Sequence, residues 1–294
     1  MLPDGASLIV VAHPRELFEA ASTATVIRGV VPDAQLEAIR VQHGVDIRTL
    51  ERAVLGVYET GEATGHVLVM QGPFRAEVAV AEIAHRMVPR ESSTQGPPAR
   101  AGGVLHGTRM DALAIGPHTL AIVIGPPALT ARVMRAVEGA SPPAIAGAVQ
   151  QALARRADPF VAMRPVPLAL PGTGPVSVLL AEEESLLIAV APISADAIHA
   201  SIDLSGHFPP GADENFRQLV ISLAHSTMGT ALGLRSALGS LSVDASLTSV
   251  SLTADLDAAE VGRGLALLFR AEIADALGGP APVDQPTGPG DSSN

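Results

Sequence analysis

Apolar positions along the chain alternate in short runs, and each run passes through a turn into a helical period. "SLIVVAHP" (7–14) precedes "RELFEAAS" (15–22), and "GHVLVMQGPF" (65–74) precedes "RAEVAVAEIAHRMV" (75–88). "HTLAIVIGPP" (118–127) then leads into "ALTARVMRAVEG" (128–139). The unit returns as "AIHASIDLSGHFPPGA" (197–212) before "DENFRQLVISLAHSTMG" (213–229), and as "TSVSLTADLD" (248–257) before "AAEVGRGLALLF" (258–269). A period of two marks half-buried strands and a period near 3.6 marks amphipathic helices. Further strands are expected at "AGGVLHGTRM" (101–110), "VSVLL" (176–180) and "SLLIAV" (185–190).

The units are irregularly spaced, which excludes a solenoid. A β-α-β-β-α order over 66–139 predicts an α+β fold with mixed or antiparallel sheets. Amphipathic helices would pack on one face, in two ferredoxin-like split-βαβ halves. The Pro-rich segment "ADPFVAMRPVPLALPGTGP" (157–175) is not expected to form a central strand. It divides an N-terminal half (1–157) from a C-terminal half (158–277), and 278–294 has the composition of a disordered tail. The loop at 89–103 is mobile by the same criterion.

Local chemistry supports several boundaries. Ser141 before Pro142 is an N-cap signal, with the helix stopped at Asp158–Pro159. Asp257 with Glu260 resembles a capping box, and Gly278 with Pro280 closes the last helix. In 128–139, Leu129, Val133, Ala136 and Val137 share one face while Arg132, Arg135 and Glu138 share the other. Gly262 and Gly264 sit inside the last helix, where each costs about 1 kcal/mol against Ala. Close backbone packing is the expected compensation.

Composition removes whole chemistries. The 294 residues include no Cys, no Trp, one Tyr and no Lys, so every one of the 19 basic residues is Arg. Thiolate catalysis, disulfides, Cys-ligated zinc, Schiff-base lysines and P-loop lysines are excluded. A net charge of −11 argues against nucleic acid, and six Phe with one Tyr leave few rings for stacking. The longest apolar runs, 119–125 and 185–193, fall well short of the ~18–20 residues of a spanning helix. Met1 is followed directly by "LPDGAS", without a basic or apolar leader region.

Nine His residues show no metal-binding spacing. His43 before Gly44 and His85 beside Arg86 suit helix C-termini, and His13 opens a strand-to-helix turn without an expected partner. On 197–206, His199, Ser201, Asp203 and Ser205 share one strand face, but positions four apart lie about 13 Å apart at ~3.3 Å per residue. His199 and Asp203 therefore cannot chelate one ion, and a solvated face is expected. "AEEES" (181–185) reads as a hydrophilic hairpin tip, and "PGTGP" (171–175) lacks a dinucleotide fingerprint. No GxSxG is present.

The densest polar cluster runs from His207 through Asp213, Glu214 and Gln218 to His225. "HFPPG" is expected to be a turn, with Asp213 and Glu214 in the first helical turn. The buried stripe would be Phe216, Leu219, Val220, Leu223 and Thr227, leaving Glu214, Gln218 and His225 outside. No catalytic, cofactor or metal residue is assigned.

"GVDIRTLERAVLGVY", "GHVLVMQGPFRAEVAVAEI" and "LAIVIGPPALTARVMRAVEG" resemble a class of uncharacterised secreted or lipid-anchored envelope proteins of high-GC bacteria. The opening "LPDGASLIVVAHP" is similar to the "LPxDxxxxVxxxP" start of their mature parts. The resemblance implies a repeated α+β domain in a periplasmic or envelope setting; without it the expectation is cytoplasmic. It carries no catalytic residue over.

Three functions fit these features. The first is a non-enzymatic envelope scaffold or protein-binding module, with an unknown protein or a second copy as partner. The second is a carrier of a small apolar ligand, because Ala/Val-rich helices over a sheet leave grooves. The third is a hydrolase pairing His207 or His225 with Asp213 or Glu214.

Overall fold

The computed structural model describes residues 2–60, 63–89, 99–105, 107–139, 158–165 and 183–276. The helix expected from Ser141, the strand at 176–180, the "PGTGP" turn and the tail lie outside them. Among the described residues twelve strands form one sheet: β1 (Leu8–Ala12), β2 (Arg52–Thr60), β3 (Ala63–Gln71), β4 (Val88–Pro89), β5 (Arg100–Leu105) and β6 (Thr108–Gly116) come first. They are followed by β7 (Thr119–Ile124), β8 (Phe160–Arg164), β9 (Glu183–Pro192), β10 (Ala197–Gly206), β11 (Ser242–Ala245) and β12 (Ser249–Asp257). Their spatial order is β11-β12-β10-β9-β8-β1-β2-β3-β7-β6-β5-β4.

The fold is α+β, and adjacent described strands pair antiparallel throughout. The sheet refines the expected topology. A split βαβ unit sets one antiparallel strand between its two parallel strands, whereas β3 and β4, which flank the helix at Ala76–Ala84, have β7, β6 and β5 between them. Strands before and after residue 157 occupy contiguous stretches of the same sheet, joined where β1 pairs β8. The Pro-rich segment therefore does supply a central strand, Phe160–Arg164, which fits between Pro159 and Pro165. The expected single strand at 101–110 is instead a hairpin, turning at Gly107 with φ 78°. Glycine reaches that conformation without a Cβ penalty.

Register defines two faces. On the front, Leu55, Leu68, Ile122, Ala112 and Ala101 form one row across β2, β3, β7, β6 and β5. Gly56, Val67, Val123, Asp111 and Gly102 form the matching row on the back. The front is covered by α3 (Asp33–His43), the 3-10 turn Ile47–Thr49 and α4 (Ala76–Ala84), whose Ala76, Ala79, Val80 and Ile83 enter the core. The back is covered by α5 (Pro127–Val137), through Leu129 and Val133, and by the N-terminal segment through Leu2 and Ala6. Helices thus lie on both faces of this half.

The N-terminal segment is anchored by Tyr58, whose fully buried hydroxyl donates to the Pro3 carbonyl at 2.9 Å. Arg132 of α5 lies over the Tyr58 ring, 5.4 Å from its centroid, and its guanidinium donates to the Asp4 carbonyl. Arg132 therefore packs rather than pointing freely to solvent, because a guanidinium on a ring face keeps both its charge and its contact.

In the other half α1 (Pro14–Glu19) leads into α2 (Ala21–Val30), which packs on β9 and β10 and against α9 (Ala258–Ala276). Asp257 Oδ1 accepts from the Glu260 amide at 2.8 Å, so the expected N-cap of α9 forms. α6 (Ala212–Ala224), α7 (Thr227–Ala231) and α8 (Leu234–Ala237) complete this end. The stripe of α6 differs from expectation. Phe216 and Ala224 are buried, whereas Leu223 is 44% exposed and Thr227 is exposed. Ser226 caps a new helix, accepting from the Gly229 amide at 3.0 Å, and this break ends the helical period.

The "AEEES" segment also differs. Glu183, Glu184 and Ser185 belong to β9, and Glu183 is 2% exposed rather than at a hydrophilic tip. A register shift at Ser205/Gly206 pairs Glu183 with Gly206, carrying the ladder into the acidic run.

Candidate functional site

The expected polar patch does not converge. His207 is exposed and its Nδ1 lies 3.8 Å from a Glu184 carboxylate oxygen. Asp213 and Glu214 occupy the first turn of α6, where Gln218 Nε2 donates to Glu214 Oε1 at 2.7 Å. His225 is the C-cap of that helix, twelve residues beyond Asp213 and therefore about 18 Å along the axis at ~1.5 Å per residue. No dyad can form across that span.

The polar strand face of β10 is a cross-strand ladder. His199 Nδ1 meets Asp255 Oδ1 at 2.8 Å, and Ser251 donates to Asp203 Oδ1 at 2.6 Å. Ser205 bonds Ser185. Each residue is engaged with its lateral neighbour, as cross-strand pairs are. No group of three or more His, Asp or Glu is placed to hold a metal among the described residues. His13 does find a partner, with Nδ1 3.7 Å from Glu16 one turn on.

Asp111 is buried, with its carboxylate held by Arg100 at 3.0 Å, Arg109 at 3.6 Å and the Thr130 hydroxyl at 2.7 Å. Two guanidinium groups and one hydroxyl compensate the cost of burying this anion. The cluster pins α5 to the back of β6 and serves the fold.

On the front face the sheet and its cover separate. A cavity of about 430 Å³ lies between β2, β3, β6 and β7 below and α3, α4 and the connection between α3 and β2 above. This lies within the ~300–1,000 Å³ typical of small-molecule sites. Leu55, Leu68, Met110, Leu120, Ile122 and Ile124 form the floor, while Ile39, Val45, Ile47 and Ile83 enter from above. Met70 closes one end and His66 stands at the other. Eleven of the twelve lining residues are apolar, so desolvation rather than hydrogen bonding would drive entry.

The roof is thin. Leu36 is the buried anchor of α3, and Val41 on the same helix is 64% exposed. An ion-pair network ties α3 to the turn that follows: Glu37 pairs with Arg40, and with Arg48 at 3.3 Å. Arg48 also pairs with Asp46 at 2.8 Å, and Asp46 Oδ1 accepts from the Arg48 amide at 3.1 Å. Hydrogen bonding from Arg40 holds the Glu37 carboxyl below its ordinary range, and Arg48 does the same for Asp46.

None of the cavity residues stood out in the sequence as a site. Period two places Leu68 and Met70 on one strand face, but only the sheet order brings Ile122 and Leu55 beside them.

No protein-family model matches the chain, and no curated protein does. Solved structures do. The chain is similar to TP0453, a Treponema protein, in its crystal form III, with TM-score 0.55 and 8% identity over 90% of this chain and 96% of that one. Crystal form I gives TM-score 0.53 and 8% identity, covering 91% and 96%. Crystal form IV gives 0.51 and 9%, covering 90% and 94%. At this identity the likeness is one of fold alone.

Proposed function

We propose that the protein binds and carries a small apolar ligand in the cavity between the front of the sheet and α3–α4. The observation that supports this is a preformed space of about 430 Å³ whose wall is apolar at eleven of twelve positions. An ordinary core collapses around such side chains, because interiors pack at crystal-like density. Native mass spectrometry of freshly purified protein, followed by organic extraction, tests it. A bound species released on denaturation supports the reading. Ligand-free spectra together with no uptake of an added apolar fluorophore would overturn it.

A protein-binding role is the second reading. It is favoured by large apolar side chains exposed on the contacting helices α6, α7 and α9: Leu223 at 44%, Met228 at 52% and Leu267 at 71%. Sedimentation velocity across a concentration series distinguishes self-association from a monomer. The envelope setting implied by the sequence resemblance also belongs to this proposal, and cell fractionation tests it. Among the described residues no helix is long and apolar enough to cross a membrane.

A further inference from the structure

Resting on the cavity reading, we propose that the ligand is a single-chain carboxylate whose head group meets His66 while its chain lies along β3 towards Met70. Three observations carry this. First, among the described residues His66 is the one polar side chain in the wall, so a second polar group on the ligand would be buried without a partner there. Second, register puts it at one end. His66 pairs with Ile124 and Val57, and Met70, on the same face, pairs with Leu120. Four residues of strand separate the two ends by about 13 Å at ~3.3 Å per residue, giving an elongated floor with one polar terminus. Third, the His66 ring has no hydrogen-bond or ion-pair partner among the described residues, and the residue is half-buried.

A half-buried imidazole with a free ring nitrogen can donate a hydrogen bond to an anion. The same contact with an alcohol lacks the charge. A carboxylate at this position also keeps part of its hydration, which a head group at the Met70 end would lose.

The test is titration of the full chain by calorimetry with decanoate, decanol and methyl decanoate, repeated with His66→Leu and His66→Gln. Circular dichroism confirms that each variant folds. Decanoate should bind the native protein about tenfold more tightly than the alcohol or ester, as a charge-assisted hydrogen bond implies. The preference should vanish in His66→Leu and fall to a small remainder in His66→Gln. Equal binding of all three by the native protein would overturn the head-group assignment while leaving the cavity reading intact. So would a decanoate preference that survives in His66→Leu. Failure of all three to bind would overturn both.

Discussion

Gly29 of α2 and Gly262 of α9 meet backbone to backbone. A Cβ on Gly29 would stand 2.9 Å from the Gly262 Cα, closer than real Cβ atoms approach. The contact lets the two helices cross with their axes close, and two residues on, on the opposite side of α9, a second glycine meets α7. A Cβ on Gly264 would lie 2.3 Å from the Ala231 carbonyl oxygen of α7. On Gly262 itself it would lie 3.2 Å from Val26.

These distances rank three substitutions. Gly264→Ala should destabilise most, Gly29→Ala next and Gly262→Ala least. Overpacking costs typically ~1–3 kcal/mol, offset by the ~1 kcal/mol that Ala gains over Gly inside a helix. Gly239→Ala, with nothing within 4 Å of the added carbon, should leave stability unchanged. Urea unfolding followed by circular dichroism reads all four, and a reversed order among them would show that the helices part freely.

This crossing was legible before the fold. Glycines inside a long amphipathic helix demand a compensation, and close packing was the expectation that α2 and α7 bear out. β10 and β12 were legible as well, because each has one face richer in apolar residues, and β3 and β7 were legible as short apolar runs bounded by turns. β2 was not. Val54 and Tyr58 face one core and Leu55 the other, so its pattern is nearly continuous and loses the period. α2 was hidden by "STATV", whose hydroxyl and β-branched residues have weak helix propensity; its contact with α9 holds it helical. The polar cluster at 207–225 drew attention because its surroundings are apolar, yet a helix axis separates its members. The cavity is the converse. It is assembled from four strands, two helices and the connection between α3 and β2, and each contributes residues that look like ordinary core.

Filling the cavity should block ligand without unfolding the protein. Ile122 lies at the centre of the floor, flanked by Leu68 on β3 and Ala112 on β6. Ile122→Phe should weaken decanoate binding at least tenfold while the urea midpoint stays the same or rises, since added carbon fills space that is already open. A variant that loses stability in step with affinity would mean that the side chains there pack tightly and no preformed space exists.

The Asp111 carboxylate should tolerate loss of charge poorly and loss of its hydroxyl donor moderately. Thr130→Val keeps the shape and removes the 2.7 Å hydrogen bond to Oδ2, at a cost of about 1–3 kcal/mol. Asp111→Ala leaves Arg100 and Arg109 facing each other without an anion, and about 3–5 kcal/mol is expected for a broken buried pair. Gly102→Ala tests the same spot sterically, because its Cβ would fall 2.5 Å from Asp111 Oδ1. Urea titrations of the three variants should give Asp111→Ala the largest loss; a neutral Asp111→Ala would show that the carboxylate is dispensable to the fold.

Tyr58 makes stability depend on alkaline pH in a way that can be isolated. Burial pushes its hydroxyl above the ordinary phenol range, with the Arg132 guanidinium opposing the shift. The native state therefore keeps its proton at pH values where the unfolded chain, titrating near ~10, has lost it. The contribution is complete below about pH 9, declines as pH rises through ~10, and is lost above the folded pKa, at up to ~1.4 kcal/mol per pH unit. The chain has no Lys and no Cys, and Tyr58 is its one tyrosine, so no other side chain ordinarily titrates in that interval. Urea midpoints followed by circular dichroism should fall between pH 9 and 11 in the native protein. In Tyr58→Phe the midpoint starts lower by the ~0.5–1.5 kcal/mol of the lost hydrogen bond to Pro3 and then stays flat. Tyrosinate absorbance gives an independent reading of the same group: it should appear with unfolding and not before it. Absorbance that rises near pH 10 while the protein is still folded would mean that the hydroxyl is open to solvent and the N-terminal segment is not held by it.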